Sequence, residues 1–302
     1  MDENEFQEFG GQWTAIKIEI LRKYLSAYTQ ALKKQPNERT PFNLIYIDAF
    51  AGAGKYCPKK QKQADCQLFA DQESNSLDAE AGSARAALEI ERPFHEYYFI
   101  EKNPKNVTQL NELKSDYPQL ANRINVIQGD SSVELKNILS KIKWNSNRAV
   151  LFLDPFALNV SWSTIEDVAE TTAIDMWFLF SVHALNRMLP RNGIIDPSWS
   201  SKIDDTFGDT SWKEEFYKVS TQMSLLNFVS NTKPEIKKDA DFNKINKYIT
   251  KRLRSVFVGV AKEPRVFRNS QNSPIFSLFF AASNKNGKHT ALKIADSILK
   301  KS

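Results

Sequence analysis

Five stretches of this chain are apolar almost from end to end, and each is followed by a different kind of sequence. They read "FNLIYIDAF" (42–50), "YYFIE" (97–101), "INVIQGD" (124–130), "AVLFLDPF" (149–156) and "IDMWFLFSV" (174–182). A strand with one wet face alternates apolar with polar residues, whereas a nearly continuous apolar run belongs to a strand covered on both faces. Between the runs lie helix-like segments: "ARAALEIE", starting near Gly82–Ser83, then "NVTQLNELKS", "SVELKNILSKI" and "STIEDVAETT". An amphipathic helix over 13–34 comes before them all, with Ile16, Ile20, Leu21, Tyr24, Leu25, Tyr28 and Leu32 at helical spacing. Strands alternating with helices of this length predict βαβ units, and so an α/β fold with a mostly parallel open sheet and helices on both faces.

After His183 the rhythm breaks. Residues 184–253 are mostly polar, with helical patches "SWKEEFYKV" and "FNKINKYITKRLRS"; strand character returns in "SVFVGVA" (255–261) and "IFSLFFAAS" (275–283), before a basic helix "KHTALKIADSILKK". The expected organisation is a core over 1–183, a helical insertion over 184–253, and a segment over 254–302 that completes the core with the last strands and a helix. A chain of 302 residues, 41% hydrophobic, can bury such a core. The polar stretch 57–80 predicts a long surface loop.

The first apolar run ends in "YIDAFAGAGKY" (46–56), a glycine turn that brings a ligand against bare backbone. A P-loop requires G-x-x-x-x-G-K-[ST]; here Gly54-Lys55 is followed by Tyr56, and Ala49 stands where the first glycine belongs. A dinucleotide fold requires a third glycine, and that place is Cys57, followed by Pro58. S-adenosylmethionine remains. It carries no phosphate, but it needs close backbone approach, an acceptor for the ribose hydroxyls and a partner for the adenine amine. Gly52 and Gly54 supply the first, Glu101 the second and Asp130 the third. In a parallel sheet the carboxyl ends of the strands lie together, so Asp48, Glu101, Asp130 and Asp154 are expected at one crevice. A strand-end acid also serves as a helix N-cap, a second reading that holds for Asp130 above all.

The fourth run places Asp154, Pro155 and Phe156 at the mouth of that crevice. An exocyclic base amine is a poor nucleophile because its lone pair is delocalised into the ring. Amino-methyltransferases meet this with a [DNS]-P-P-[YFW] turn, whose acceptors favour the positive charge developing on nitrogen while the aromatic stacks on the base. The turn here has one proline and its aromatic one position early.

In this order, the motifs resemble the three-Cys-motif partner (TcmP) family of class I methyltransferase-like proteins. The likeness lies in "YIDAFAGAG", the "GS" helix start, "FIEKN", "GD", "FLDPF", "TTAIDMWFLF" and "ALNRML", and it covers the first half of the chain best. More distantly, the chain is similar to RlmJ-type ribosomal-RNA adenine-N6 methyltransferases, whose glycine loop reads D-T-H-A-G-A-G-R-Y. These resemblances imply a Rossmann-like class I methyltransferase fold and S-adenosylmethionine as cofactor. They place cofactor contacts at Ile18 (beside Lys17), Phe50, Ser83, Glu101 and Asp130, and the catalytic acid at Asp154. The first two positions are histidines in the RlmJ group and apolar here, which leaves Lys17 to meet the methionine carboxylate and Phe50 to pack on the cofactor. The TcmP name implies a partner protein that carries a three-cysteine motif.

A net charge of +5 and a pI near 8.9 tolerate a polyanionic partner without requiring one. Arg187 and Arg191 follow the fifth run and are the expected substrate contacts; Lys247, Lys251, Arg252 and Arg254, interleaved with Tyr248, Trp199 and Trp212, suit phosphate contacts and base stacking. The function expected is methyl transfer to a base amine of DNA or RNA. The alternatives are a cofactor-binding regulatory subunit and a small-molecule methyltransferase. Two cysteines and three scattered histidines form no metal-site spacing, no run is long enough to span a membrane, and the acidic, polar opening fits a cytoplasmic protein.

Overall fold

The computed structural model describes residues 11–53, 82–219 and 236–301. Gly54, both cysteines and the 57–80 loop lie outside the described residues, as does 220–235 within the insertion.

The core runs α1 (Gly11–Ala31), β1 (Asn43–Asp48), α2 (Ser83–Leu88), β2 (Glu96–Glu101), α3 (Pro104–Asp116), β3 (Ile124–Gln128), α4 (Ser131–Lys141), β4 (Asn147–Leu153), α5 (Trp162–Glu170) and β5 (Ile174–Phe180). Then come α6 (Val182–Met188), α7 (Pro197–Phe207), α8 (Trp212–Phe216), β6 (Tyr217–Val219), β7 (Ile236–Lys238) and α9 (Phe242–Val256). The chain finishes with β8 (Gly259–Val260), β9 (Arg265–Arg268), β10 (Pro274–Ala282) and α10 (Lys288–Lys301). The main sheet is ordered β3-β2-β1-β4-β5-β10-β8, with β9 beside the other half of β10. Its first five strands are parallel, and β10 is antiparallel to β5.

The pleat sorts side chains into two cores. Ile45, Ile47, Leu151, Leu153, Met176 and Phe178 pack on one face against α4 to α9. The intervening Leu44, Tyr46, Val150, Phe152, Trp177 and Leu179 pack on the other against α1, α2, α3 and α10. Alternate residues of one strand are therefore buried on opposite sides, which is why the runs are apolar throughout. The fold class expected from the sequence is the one observed: Rossmann-like, mostly parallel, helices on both faces, and extra helices before the last strands.

Three expectations are corrected. The segment 255–261 is not a strand throughout: Ile245, Ile249 and Leu253 recur at helical spacing and are buried, α9 continues to Val256, and the Phe257 N–H closes it on the Leu253 carbonyl. Only Gly259 and Val260 then pair with β10. "SWKEEFYKV" is a short helix that ends in β6, which pairs with β7 across the insertion through Tyr217 and Lys238. The sheet gains β9, joined to β10 by a turn in which Asn269 Oδ1 accepts from the Gln271 and Ser273 N–H groups. Among the described residues, no helix is long and apolar enough to cross a membrane.

Candidate active site at the carboxyl ends of the strands

The order of the strands reverses between β1 and β4, whose following connections leave in opposite directions. In an open α/β sheet, ligands bind in the crevice outside this switch point. A cleft of about 740 Å3 lies there, walled by Gly52 after β1, Glu101 at the end of β2, Asp130 after β3, and Asp154 and Phe156 after β4.

Gly52 has φ +60°, and a Cβ added there would meet nothing within 4 Å. The bare turn thus leaves room for a ligand along its backbone. Glu101 Oε1 accepts from the Asn103 N–H at 2.7 Å, at the start of α3, and among the described residues its other oxygen has no donor, which suits a pair of hydroxyls. Asp130 Oδ1 caps α4 by accepting from the Ser132 N–H at 3.1 Å, and Lys102 stands 3.7 Å from its Oδ2. The N-cap reading of Asp130 therefore holds, without closing the cleft to it. Phe50 lines the wall beside Gly52.

Asp48 and Ser83 lie beneath this wall. Asp48 is fully buried and accepts from the Phe50 N–H at 3.3 Å, from Tyr46 Oη at 3.4 Å and from the Ser83 hydroxyl. Burial pushes its carboxyl up to about 7; the Asp154 charge adds to this, while Ser83, the Phe50 N–H and Lys17 pull it back. Both residues shape the turn from below.

Asp154 leaves β4 at the rim, with 26% of its side chain exposed. Lys17, from α1, reaches it: Nζ lies 2.5 Å from Oδ2 and 5.1 Å from the Trp13 ring. The lysine expected to meet a methionine carboxylate thus holds the expected catalytic acid, through a contact that joins residues 137 apart in sequence. Among the described residues Oδ1 takes part in no hydrogen bond, and Asp154 lines the cleft. Phe156 is 41% exposed and lines the same space. The next residue, Ala157, has φ +55°, a left-handed conformation that costs a non-glycine residue roughly 1–2 kcal/mol. It turns the chain so that Leu158 and Val160 are buried while Phe156 points outward.

Sequence reasoning missed the far wall. Lys202 and Asp205, on α7 of the insertion, face the cleft with Asn159 and Ser161, and no motif marks them. Arg191 lies elsewhere: it lines a separate depression with Asn186, Lys237 and Lys238. Arg187 sits in the last turn of α6, where its charge adds to burial in holding His183 below the ordinary histidine range. Neither arginine lines the cleft.

Two expected stacking residues are corrected. Trp212 is fully buried, with Nε1 donating to Asp204 at 2.7 Å, and Tyr248 is buried against Phe207 and Phe216. Arg252 is half-buried and engaged within the protein, bonded to Asp209 at 2.9 Å and lying 4.4 Å from the Trp162 ring. Of the aromatics named in the insertion, Trp199 alone is exposed, at 40%.

The donor set fits S-adenosylmethionine: an unobstructed glycine turn, a half-free carboxylate at β2, a second acid at β3, and a volume within the ordinary range of about 300–1,000 Å3 for ligand clefts. No family model matches the chain, and no curated protein matches it. Among solved structures it is similar to protein LPL1258 of Legionella pneumophila (12% identity over 94% of this chain and 91% of that one, TM-score 0.46). It is also similar to human methyltransferase-like protein 13 in complex with SAH (10%, 96% and 93%, TM-score 0.36) and to M. jannaschii TYW2 in complex with AdoMet (13%, 89% and 76%, TM-score 0.33).

Proposed function

We propose that this chain is an S-adenosylmethionine-dependent methyltransferase acting on an exocyclic base amine of DNA or RNA, adenine N6 being the model acceptor. One observation carries the reading: the Asp154-Pro155-Phe156 turn leaves β4 into the same cleft that Glu101 and Gly52 wall, with Phe156 exposed and, among the described residues, one Asp154 oxygen without a hydrogen bond.

The cofactor supplies a methyl group on a positively charged sulfur. Glu101 would hold the ribose hydroxyls of the bound cofactor, and Asp130 would accept from its adenine amine. Phe156 stacks on the acceptor base, and Asp154 Oδ1 accepts from its amine, placing the nitrogen lone pair toward the methyl. Bound there, the cofactor would supply the methyl group and retain its sulfur as a neutral thioether, and the extra proton on the acceptor nitrogen would pass to water. Lys17 fixes the orientation of Asp154 through Oδ2. The insertion over 184–253 serves as the substrate-reading module, with Trp199, Lys202 and the cations around Arg191, together with Arg187, for a polyanion. We place the reaction in the cytoplasm.

The test is methyl-labelled cofactor incubated with the purified protein and total RNA, DNA or a cell lysate, following the label. Asp154→Ala is expected to lose at least 100-fold in transfer while cofactor affinity stays within about threefold. Full activity in that variant removes Asp154 from the chemistry.

The grip of Lys17 on Asp154 favours one second reading. In it, the turn is structural, and the chain is a cofactor-binding partner subunit of a protein with a three-cysteine motif, as the TcmP resemblance implies. That reading predicts no transfer by the chain alone and stable co-purification with the partner. A small-molecule acceptor predicts label in small molecules and no nucleic-acid affinity even at low salt.

A further inference from the structure

A second cavity, of about 340 Å3, lies at the opposite end of the sheet, between the starts of β4 and β5, α1 and α10. Asp175 faces it from β5 and is 7% exposed. Among the described residues its one hydrogen bond comes from Tyr24 Oη, which donates to Oδ2 at 2.6 Å; Oδ1 receives none. Arg148 lines the same cavity. Its Nη1 donates to the Trp144 and Asn147 carbonyls, and its guanidinium lies 3.9 Å from the Phe42 ring centroid. No ion pair joins Arg148 to Asp175 among the described residues, although each feels the other's charge. Burial pushes the Asp175 carboxyl up to about 7, with Tyr24 and then Arg148 pulling it back.

A buried carboxylate with an empty oxygen is costly unless something donates to it. Acid and guanidinium line one cavity, whose polar walls include Gln35, Asn284, Asn286 and Thr290 and whose apolar walls include Tyr28, Phe42 and Ile294. Such walls suit a flat ring. A carboxylate accepts two adjacent N–H groups side by side. A guanidinium, in turn, seeks a carbonyl or ring-nitrogen acceptor. Guanine joins both patterns: N1–H and the 2-amino group form a donor edge, while O6 and N7 are the acceptors that arginine pairs with. Adenine offers N1, an acceptor, where the acid needs a donor. We propose that this cavity binds a flat heterocycle with a guanine-type hydrogen-bond pattern, its donor edge on Asp175 and its acceptor edge toward Arg148. The site is separate from the cleft, and the proposal stands whether or not the chain transfers methyl groups.

The experiment is calorimetric titration of the whole protein at pH 8, above the value of about 7 to which burial pushes the Asp175 carboxyl, with guanosine, inosine, adenosine and benzamidine. Guanosine is expected to bind, inosine at least tenfold more weakly because it lacks the 2-amino donor, and adenosine not measurably. Asp175→Asn is expected to lose at least tenfold in guanosine affinity while keeping the wild-type melting temperature at pH 5. Arg148→Lys, which keeps a cation but not the fork, is expected to lose a similar factor and serves if the first variant does not fold. Absence of guanosine binding, binding unchanged in both variants, or benzamidine binding more tightly than guanosine overturns the proposal.

Discussion

Two carboxyls sit at opposite ends of one sheet under the same constraint and are served differently. Asp48, at the carboxyl end of β1, and Asp175, at the start of β5, are both buried and both pushed up to about 7 by that burial. Asp48 is wrapped by three protein donors beneath the glycine turn and holds that turn in place. Among the described residues Asp175 has Tyr24 alone, and it looks into a cavity. Equal burial thus has unequal meaning: with its donors supplied by the chain a buried acid is scaffold, and with an oxygen left bare it is a receptor.

The largest expected effect is common to both acids. A carboxyl whose folded value lies near 7, against about 4 when unfolded, keeps its proton in the native state across that window. The native state then binds more protons than the unfolded one, so stability is full below about pH 4 and falls as pH rises toward 7, by at most about 1.4 kcal/mol per pH unit for each group. Asp48→Asn and Asp175→Asn should each flatten this fall, seen as a smaller difference between urea unfolding free energies at pH 5 and pH 8 than in wild type. A slope unchanged in Asp175→Asn would remove the common ground of the comparison. Next in size, Glu101→Ala should weaken cofactor binding by about 10–100-fold, as expected for a charged hydrogen bond, whereas Arg148→Lys at the other end should leave it within twofold. Equal losses in the two variants would mean that the two ends are not independent. The smallest effect separates the two acids. Tyr24→Phe removes the one donor that Asp175 has among the described residues and should cost about 1–3 kcal/mol in thermal or chemical unfolding, while Tyr46→Phe, whose contact with Asp48 is long and has companions, should cost less than about 0.5 kcal/mol.

The first five strands and their terminal acids were legible because burial on both faces writes an unbroken apolar run, which needs no knowledge of the partner strand. The glycine turn was legible because Gly52 requires a positive φ. The grip of Lys17 on Asp154 was not, since nothing local ties α1 to the end of β4. Strand β6 is three residues long and exists through its pairing with Lys238 and its neighbours, a long-range cause with no local pattern. Trp212 and Tyr248 misled because they stand among charged residues, and only their packing with Phe207 and Phe216 reveals that the insertion's helices extend the core on that face of the sheet. Asp175 was plain to see within "IDMWFLF", but its meaning depends on Tyr24 and Arg148, both distant in sequence.

The first helix gains a consequence from these contacts. Lys17 and Tyr24 lie seven residues apart on α1, about 10 Å along its axis, and each is fastened to an acid on a different strand. A rod pinned at two points can neither slide nor roll unless one pin is drawn. The helix that sets the orientation of Asp154 at the cleft is thus the same one that hands Tyr24 to Asp175 at the far end of the sheet.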